Sequence, residues 1–262
     1  MKKTKKAKPK TKKIVKIKVE PKLDRKRLTV HKKEIKKFLV EKTKKQVDEV
    51  NPQTPIHDSD YWLKRPEDDK HLDWDYSENW IDGYWLSWRH PHRDLILEVL
   101  KEFEPFDLLE VGCNVGPNLN RIRQKFGGIR LAGVDIDPRL VEIAKDRLRD
   151  IEFQVAGAIK LPYDTQSFSC TLMDAVLMYI SPDEIKQVLE ELDRVTKKAM
   201  IIVDRVDKDE KGVRNGNVWA RNYPVLLEKM GYMVKTTKLT KEHWPNSVGW
   251  QKFGYLIVAS KN

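Results

Sequence analysis

Cysteine is scarce in this 262-residue chain. Cys113 and Cys170 are its 2 cysteines, too few for a disulfide framework or a four-thiolate zinc site. No stretch approaches the roughly 18–20 apolar residues that a membrane span requires. The Lys-rich opening has no apolar run behind it, so a secretory signal is not expected. These absences argue against a secreted stapled fold, a membrane channel and a zinc finger, and the expected compartment is the cytoplasm. Aromatic residues are plentiful, with 8 Trp, 8 Tyr and 7 Phe, and 40% of the chain is hydrophobic. That composition excludes wholesale disorder.

Charge is unevenly placed. The chain carries 51 Lys+Arg and 40 Asp+Glu, a formal balance of +11. Residues 1–45 hold 21 of the basic and 4 of the acidic side chains, so that stretch is +17 and residues 46–262 are −6. Any attraction to nucleic acid or to an anionic surface is therefore expected from residues 1–45, weak, non-specific and salt-sensitive, and not from the body.

Three regions follow from the pattern. Residues 1–55 form a basic extension: a Lys/Thr/Ala/Pro arm, an alternating stretch Ile14–Val19 that could be a short strand, and a charged helix between Thr29 and Val50 with Ile35, Phe38, Leu39 and Val47 at helical spacing. Asn51-Pro52 and Thr54-Pro55 break the chain. Residues 56–90 are a Trp-rich lid or cap, with Trp62, Trp74, Trp80, Trp85 and Trp88 mixed among charges; their faces suit either a core or a ligand. From Pro91 onward helical and extended patterns alternate, which predicts an α/β body of about seven strands in a mostly parallel sheet flanked by helices, with one antiparallel strand near the C-terminus.

The densest chemical signal is Glu110-Val-Gly112-Cys113-Asn114-Val-Gly116-Pro-Asn118. A buried strand runs into a small-residue turn and then a helix, and in an open α/β sheet ligands bind at such a strand end. Gly112 and Gly116 let backbone approach a ligand without a Cβ between. The spacing is not the Gly-x-Gly-x-x-Gly of dinucleotide enzymes. Val134-Asp135-Ile136-Asp137 closes the next strand on an acidic residue, and Leu161-Pro162-Tyr163 and Ser167-Phe168 precede the fourth.

This set resembles the class I S-adenosylmethionine-dependent methyltransferases, in the "E-x-G-x-x-x-G" form of their first motif, over roughly Pro91–Asn262. The resemblance implies a Rossmann-like fold and S-adenosyl-L-methionine as cofactor. It implies that Asp135 accepts hydrogen bonds from both ribose hydroxyls, that Ile136 lies against adenine and that Glu110 organises the loop near the methionine moiety. Cys113, Asn114, Asn118, Gly157, Ala158 and Asp174 complete the implied cofactor set. Gly157 stands where the family often has Asp, and Ser169 replaces the usual Asp after Phe168.

Methyl transfer needs in-line positioning, desolvation and sometimes a base. Asp174, Tyr179 and His92 are the candidate catalytic groups, with His90, Asp204 and His243 also within plausible reach. Trp85, Trp88, Trp219, Arg221 and His243 are the candidate acceptor-side residues. No metal site is expected, and the acceptor, the methylated atom and the oligomeric state are not legible. Three functions compete: a methyltransferase acting on a small molecule or a sugar-, lipid- or peptide-like acceptor; an RNA or DNA methyltransferase using the tail for phosphate contacts; and a non-catalytic protein that binds the cofactor. The acidic body disfavours the second, and Glu110, Gly112, Gly116 and Asp135 disfavour the third.

Overall fold

The computed structural model describes residues 58–67 and 79–261, all within one unit, Glu49–Asn262. The expected arm, strand and charged helix of the basic extension, and Trp74, lie outside the described residues. None of the described helices is long and apolar enough to cross a membrane.

Seven strands form the main sheet: β1 (Asp107–Val111), β2 (Arg130–Asp135), β3 (Glu152–Val155), β4 (Phe168–Asp174), β5 (Thr196–Arg205), β8 (Met233–Lys238) and β9 (Gly254–Ser260). Between β5 and β8 lies a separate hairpin, β6 (Val213–Asn215) with β7 (Val218–Ala220). The sheet order is β3-β2-β1-β4-β5-β9-β8. Pairs from β3 through to β5 are parallel, and β9 runs antiparallel to both β5 and β8. One reversed strand is the expected architecture.

Central strands are apolar on consecutive residues because helices cover both faces. Side chains then alternate sides: Leu108, Leu172 and Ile201 join one buried cluster, while Leu109, Met173 and Ile202 join the other. The edge strand β8 is mostly exposed and carries Lys235 and Lys238, charges that discourage edge-to-edge pairing.

Eight α-helices are described: α1 (Ser59–Lys64), α2 (Trp80–Leu86), α3 (His92–Phe103), α4 (Pro117–Lys125), α5 (Pro138–Arg147), α6 (Ile185–Val195), α7 (Tyr223–Lys229) and α8 (Val248–Phe253). Local chemistry sets several starts. Asp137 caps α5 by accepting from Arg139 N, with Pro138 at the first position. Ser181 bonds Glu184 as the capping-box spacing predicts, yet the helix begins at Ile185, one turn later.

The sheet order reverses between β1 and β4, so the crevice at their carboxyl ends is the natural ligand position. The Trp-rich segment packs there as short helices. Arg139 donates to the carbonyls of Arg65 and Trp62 while paired with Asp137, and Trp80 Nε1 donates to Pro66 O. Arg65 lies over the Trp80 ring at 4.3 Å. These bonds fasten the segment to the start of α5, beside the first two strand ends.

Candidate active site

A cavity of about 900 Å³ opens at this edge. It is built from the turn after β1, the end of β2, residues 156–158 after β3, the loop after β4, the Trp-rich segment and residues 244–250.

The turn after β1 is held from β2. Gly112 N and Cys113 N both donate to Val134 O, at 2.8 and 2.9 Å. Gly112 sits at φ +76, and a Cβ there would lie 2.4 Å from Val176 Cγ2, so glycine is required by backbone and space together. Asn114, at φ 51, takes the left-handed geometry that Asn tolerates. Gly116 serves packing instead: it is outside the cavity lining, and a Cβ there would meet Leu148 Cδ1 at 2.7 Å.

Asp135 reaches back to this turn. Its carboxylate accepts from Asn114 N at 2.7 Å and Asp137 N at 3.0 Å. Burial pushes it up to about 6 despite those donors. Ile136, Gly157 and Ala158 line the neighbouring wall, and a Cβ on Gly157 would find only Ile136 Cδ1, at 3.8 Å. The wall is apolar and open in front of backbone.

At the other side of the turn three polar side chains converge. Asn118 Nδ2 donates to Glu110 Oε1 at 2.6 Å and to Asp174 Oδ2 at 3.0 Å. Glu110 Oε2, Asn118 Oδ1 and Asp174 Oδ1 are buried with no hydrogen-bond partner. Burial pushes Glu110 up to about 8, with Asn118 acting against it. Burial alone would also raise Asp174, but His92 and Arg93 beside it and the Asn118 bond hold its carboxyl well below the usual range.

Asp174 Oδ2 also faces His92 Nε2 at 2.8 Å and Arg93 Nη1 at 2.9 Å. His92 Nε2 also has Arg93 Nη1 at 2.8 Å, and the Nδ1 atoms of His92 and His90 lie 2.5 Å apart, one donating to the other. Burial lowers both imidazoles, His90 to about 3, so both are neutral at physiological pH. Trp244 stacks on His92 with ring centroids 4.3 Å apart and on Trp250 at 4.1 Å.

Of the expected catalytic groups, Asp174, Tyr179 and His92 all line the cavity. Burial raises the Tyr179 hydroxyl far above its ordinary value, so it stays protonated. Asp204 does not line the cavity; it is buried and accepts from Met178 N and Arg205 N. On the acceptor side Trp88 lines the cavity, and the other four expected residues do not. Trp85 packs into the core under Arg147. Arg221 is fully buried, donating to Leu177 O, Ile180 O and Lys211 O, with Trp219 against its guanidinium. His243 Nδ1 accepts from Thr240 N in a surface turn. Each has a structural task, which explains its place in the loops. Sequence reading missed Arg93, Arg205 and the Trp244–His92 stack, which join elements far apart in the chain.

Residues 108–199 match the model of a family described as "Methyltransferase domain". The similarity runs from β1 to the start of β5. Among the chain's relatives is the demethylmenaquinone methyltransferase of Thermotoga maritima, 29% identical over 116 residues, covering 44% of this chain and 48% of that protein. The 7SK snRNA methylphosphate capping enzyme of Mus musculus is 41% identical over 68 residues, 25% of this chain and 10% of that protein. In fold, the domain is similar to magnesium protoporphyrin IX methyltransferase from Synechocystis PCC 6803 with bound cofactor, at TM-score 0.55 and 13% identity, covering 78% of this chain and 95% of that one. The chain spans about half or less of the first curated relatives it matches.

The site fits S-adenosylmethionine by the chemistry of its own residues. Three orphaned, buried acceptors suit the ammonium of a methionine moiety. Asp135 offers a carboxylate at the strand end for ribose hydroxyls, and the open wall at Ile136 and Gly157 suits a flat base.

Proposed function

We propose that this chain transfers a methyl group from S-adenosylmethionine to a small-molecule acceptor seated between Asp174 and residues 244–250. The observation that carries the reading is the set of unpartnered acceptor atoms on Glu110, Asn118 and Asp174, next to the Gly112 turn and within one cavity. Buried acceptors without donors call for a donor-bearing, cationic ligand.

When bound, the cofactor supplies an electrophilic methyl carbon on a sulfonium. The protein's share is positioning and exclusion of water. Glu110 and Asn118 hold the amino-acid end, and Asp135 the ribose. The loop after β4, which turns through Ala175 at φ 58, sets Val176 against Gly112 and closes the floor. His90 and His92 form a neutral pair anchored on ionised Asp174. An imidazole lowered to about 3 is too weak to strip a phenol or alcohol beforehand. It accepts a hydrogen bond from the acceptor and takes its proton as methylation makes that group strongly acidic.

A small acceptor is favoured over nucleic acid because residues 46–262 carry −6, whereas a nucleic-acid groove needs a basic face. The test is labelled-methyl transfer from S-adenosylmethionine across acceptor classes, with Asp135→Ala as the blank. Transfer to small molecules that persists at high salt supports the reading; transfer confined to RNA or DNA would replace it.

A further inference from the structure

Charge is segregated inside the cavity. Among the described residues, all the carboxylates that line it (Glu110, Asp135 and Asp174) sit at the end assigned to the cofactor. The opposite end, lined by Arg205, Asn217, Trp244, Asn246, Ser247 and Trp250, has none among the described residues. Arg205 ends β5, two residues beyond Val203, the neighbour of Asp174 across the β4–β5 pair. Arg205 and Asp174 both line the cavity.

The other cavity arginines are engaged. Arg93 is paired with Asp174, Arg65 lies over Trp80, and Arg89 lies over Trp88 at 4.6 Å. Arg205 has Asn215 Oδ1 at the long distance of 3.3 Å and the Trp250 ring at 5.5 Å. Among the described residues no carboxylate forms an ion pair with it, and its Nε is buried with no hydrogen-bond partner. The acidic side chain next to it, Asp204, spends its oxygens on Met178 N and Arg205 N. A guanidinium keeps its charge at any physiological pH, and a planar fork of donors matches carboxylate and phosphate oxygens. Gly249 leaves room for it, since a Cβ there would lie 3.3 Å from Arg205 Nη2.

Resting on the methyltransferase reading of this cavity, we infer that the acceptor is an anion whose carboxylate or phosphate is held by Arg205, opposite the cationic cofactor. The two ligands then have complementary charge, and the anion fixes the distance from Arg205 to the group that is methylated beside His90 and Asp174. Arg205 is a specificity residue in this scheme, not a base.

The test uses the full chain saturated with S-adenosylhomocysteine and three probes: benzoate, phenyl phosphate and neutral benzamide. Calorimetry is expected to show the better anion binding at least about tenfold more tightly than benzamide, the range of a charge-assisted hydrogen bond. The tighter of the two anions names the group. Arg205→Gln is expected to erase that preference and Arg205→Lys to keep part of it, with affinity for S-adenosylhomocysteine unchanged within about twofold, since the contact lies outside the cofactor end. Equal binding of benzamide and the anions, absence of binding by all three, or a preference that survives Arg205→Gln overturns the inference and leaves Arg205 as packing for Trp250. If the wild type fails to bind S-adenosylhomocysteine, the cofactor reading falls, and the same probes titrated without it still decide the anion site.

Discussion

Cofactor binding by this chain is expected to release a proton, and Glu110 is the source. In the free protein the Glu110 carboxyl is buried, 1% exposed, and pushed up to about 8, so at pH 7 it is mostly protonated. Holding an ammonium at its unpartnered Oε2 requires the ionised form. Ionising a group one unit below its pKa costs about 1.4 kcal/mol, so affinity at pH 7 is expected to be about tenfold below its limit at high pH. Glu110→Gln is close in shape to the protonated acid and keeps an acceptor for Asn118. It loses a charge-assisted bond worth about 1.5–3 kcal/mol, but it also escapes the ionisation cost. Its penalty is therefore small at pH 7 and grows to roughly 10- to 150-fold near pH 9. The sign for stability is opposite. A carboxyl whose folded pKa is raised stabilises the fold below its unfolded value near 4.5 and loses that contribution as pH rises through about 8. The free wild type should lose thermal stability across that window, and Glu110→Gln should flatten the curve. Calorimetry with S-adenosylhomocysteine from pH 6 to 9, in two buffers of different ionisation enthalpy, reads both affinity and proton release. A wild-type affinity that is flat over that range, or a variant that keeps the slope, would refute the reasoning.

Three further outcomes are expected. Gly112→Val drives a side chain into Val176 at a position with φ +76; binding of S-adenosylhomocysteine should be lost while the sheet, read by circular dichroism, persists. Arg221→Leu leaves the carbonyls of Leu177, Ile180 and Lys211 without their donor and should cost about 3 kcal/mol or more in chemical denaturation; a stable variant that only lost acceptor affinity would return Arg221 to the acceptor wall. Residues 1–45 carry +17, so any binding of single-stranded RNA by the full chain should fall with salt at a log–log slope of about 0.7 per phosphate contacted. Gel-shift titrations check this, and tight binding that ignores salt would place a nucleic-acid site on the body.

The sheet, its single reversed strand and the turn that opens the cavity were legible in the sequence because short segments encode them. A buried strand, the turn through Gly112 and Asn114, and the acidic close of β2 each lie within about ten consecutive residues. What escaped was carried by residues distant in sequence. The Asp174 cluster joins the first turn of α3, α4 and the end of β4, and only packing reveals that Arg93 pairs there. Trp219 and Arg221 looked like acceptor groups because they fall in a loop region, yet Arg221 clamps the segment after β4 from inside. The β6–β7 hairpin did carry a signal. Gly216-Asn217, with Gly216 at φ +66, fills the two-residue turn between the paired Asn215 and Val218, and glycine at the first turn position is a hairpin signal.

Calorimetric titration of S-adenosylhomocysteine into the full chain, wild type beside Asp135→Ala, addresses the cofactor assignment most directly. Asp135 holds the Asn114 and Asp137 amides and is assigned the ribose, so its loss should cost about 1–3 kcal/mol, or roughly 5- to 150-fold in affinity. A single site in the wild type, weakened by that factor in Asp135→Ala, is the expected result. No binding by the wild type, or equal binding by both proteins, would contradict it.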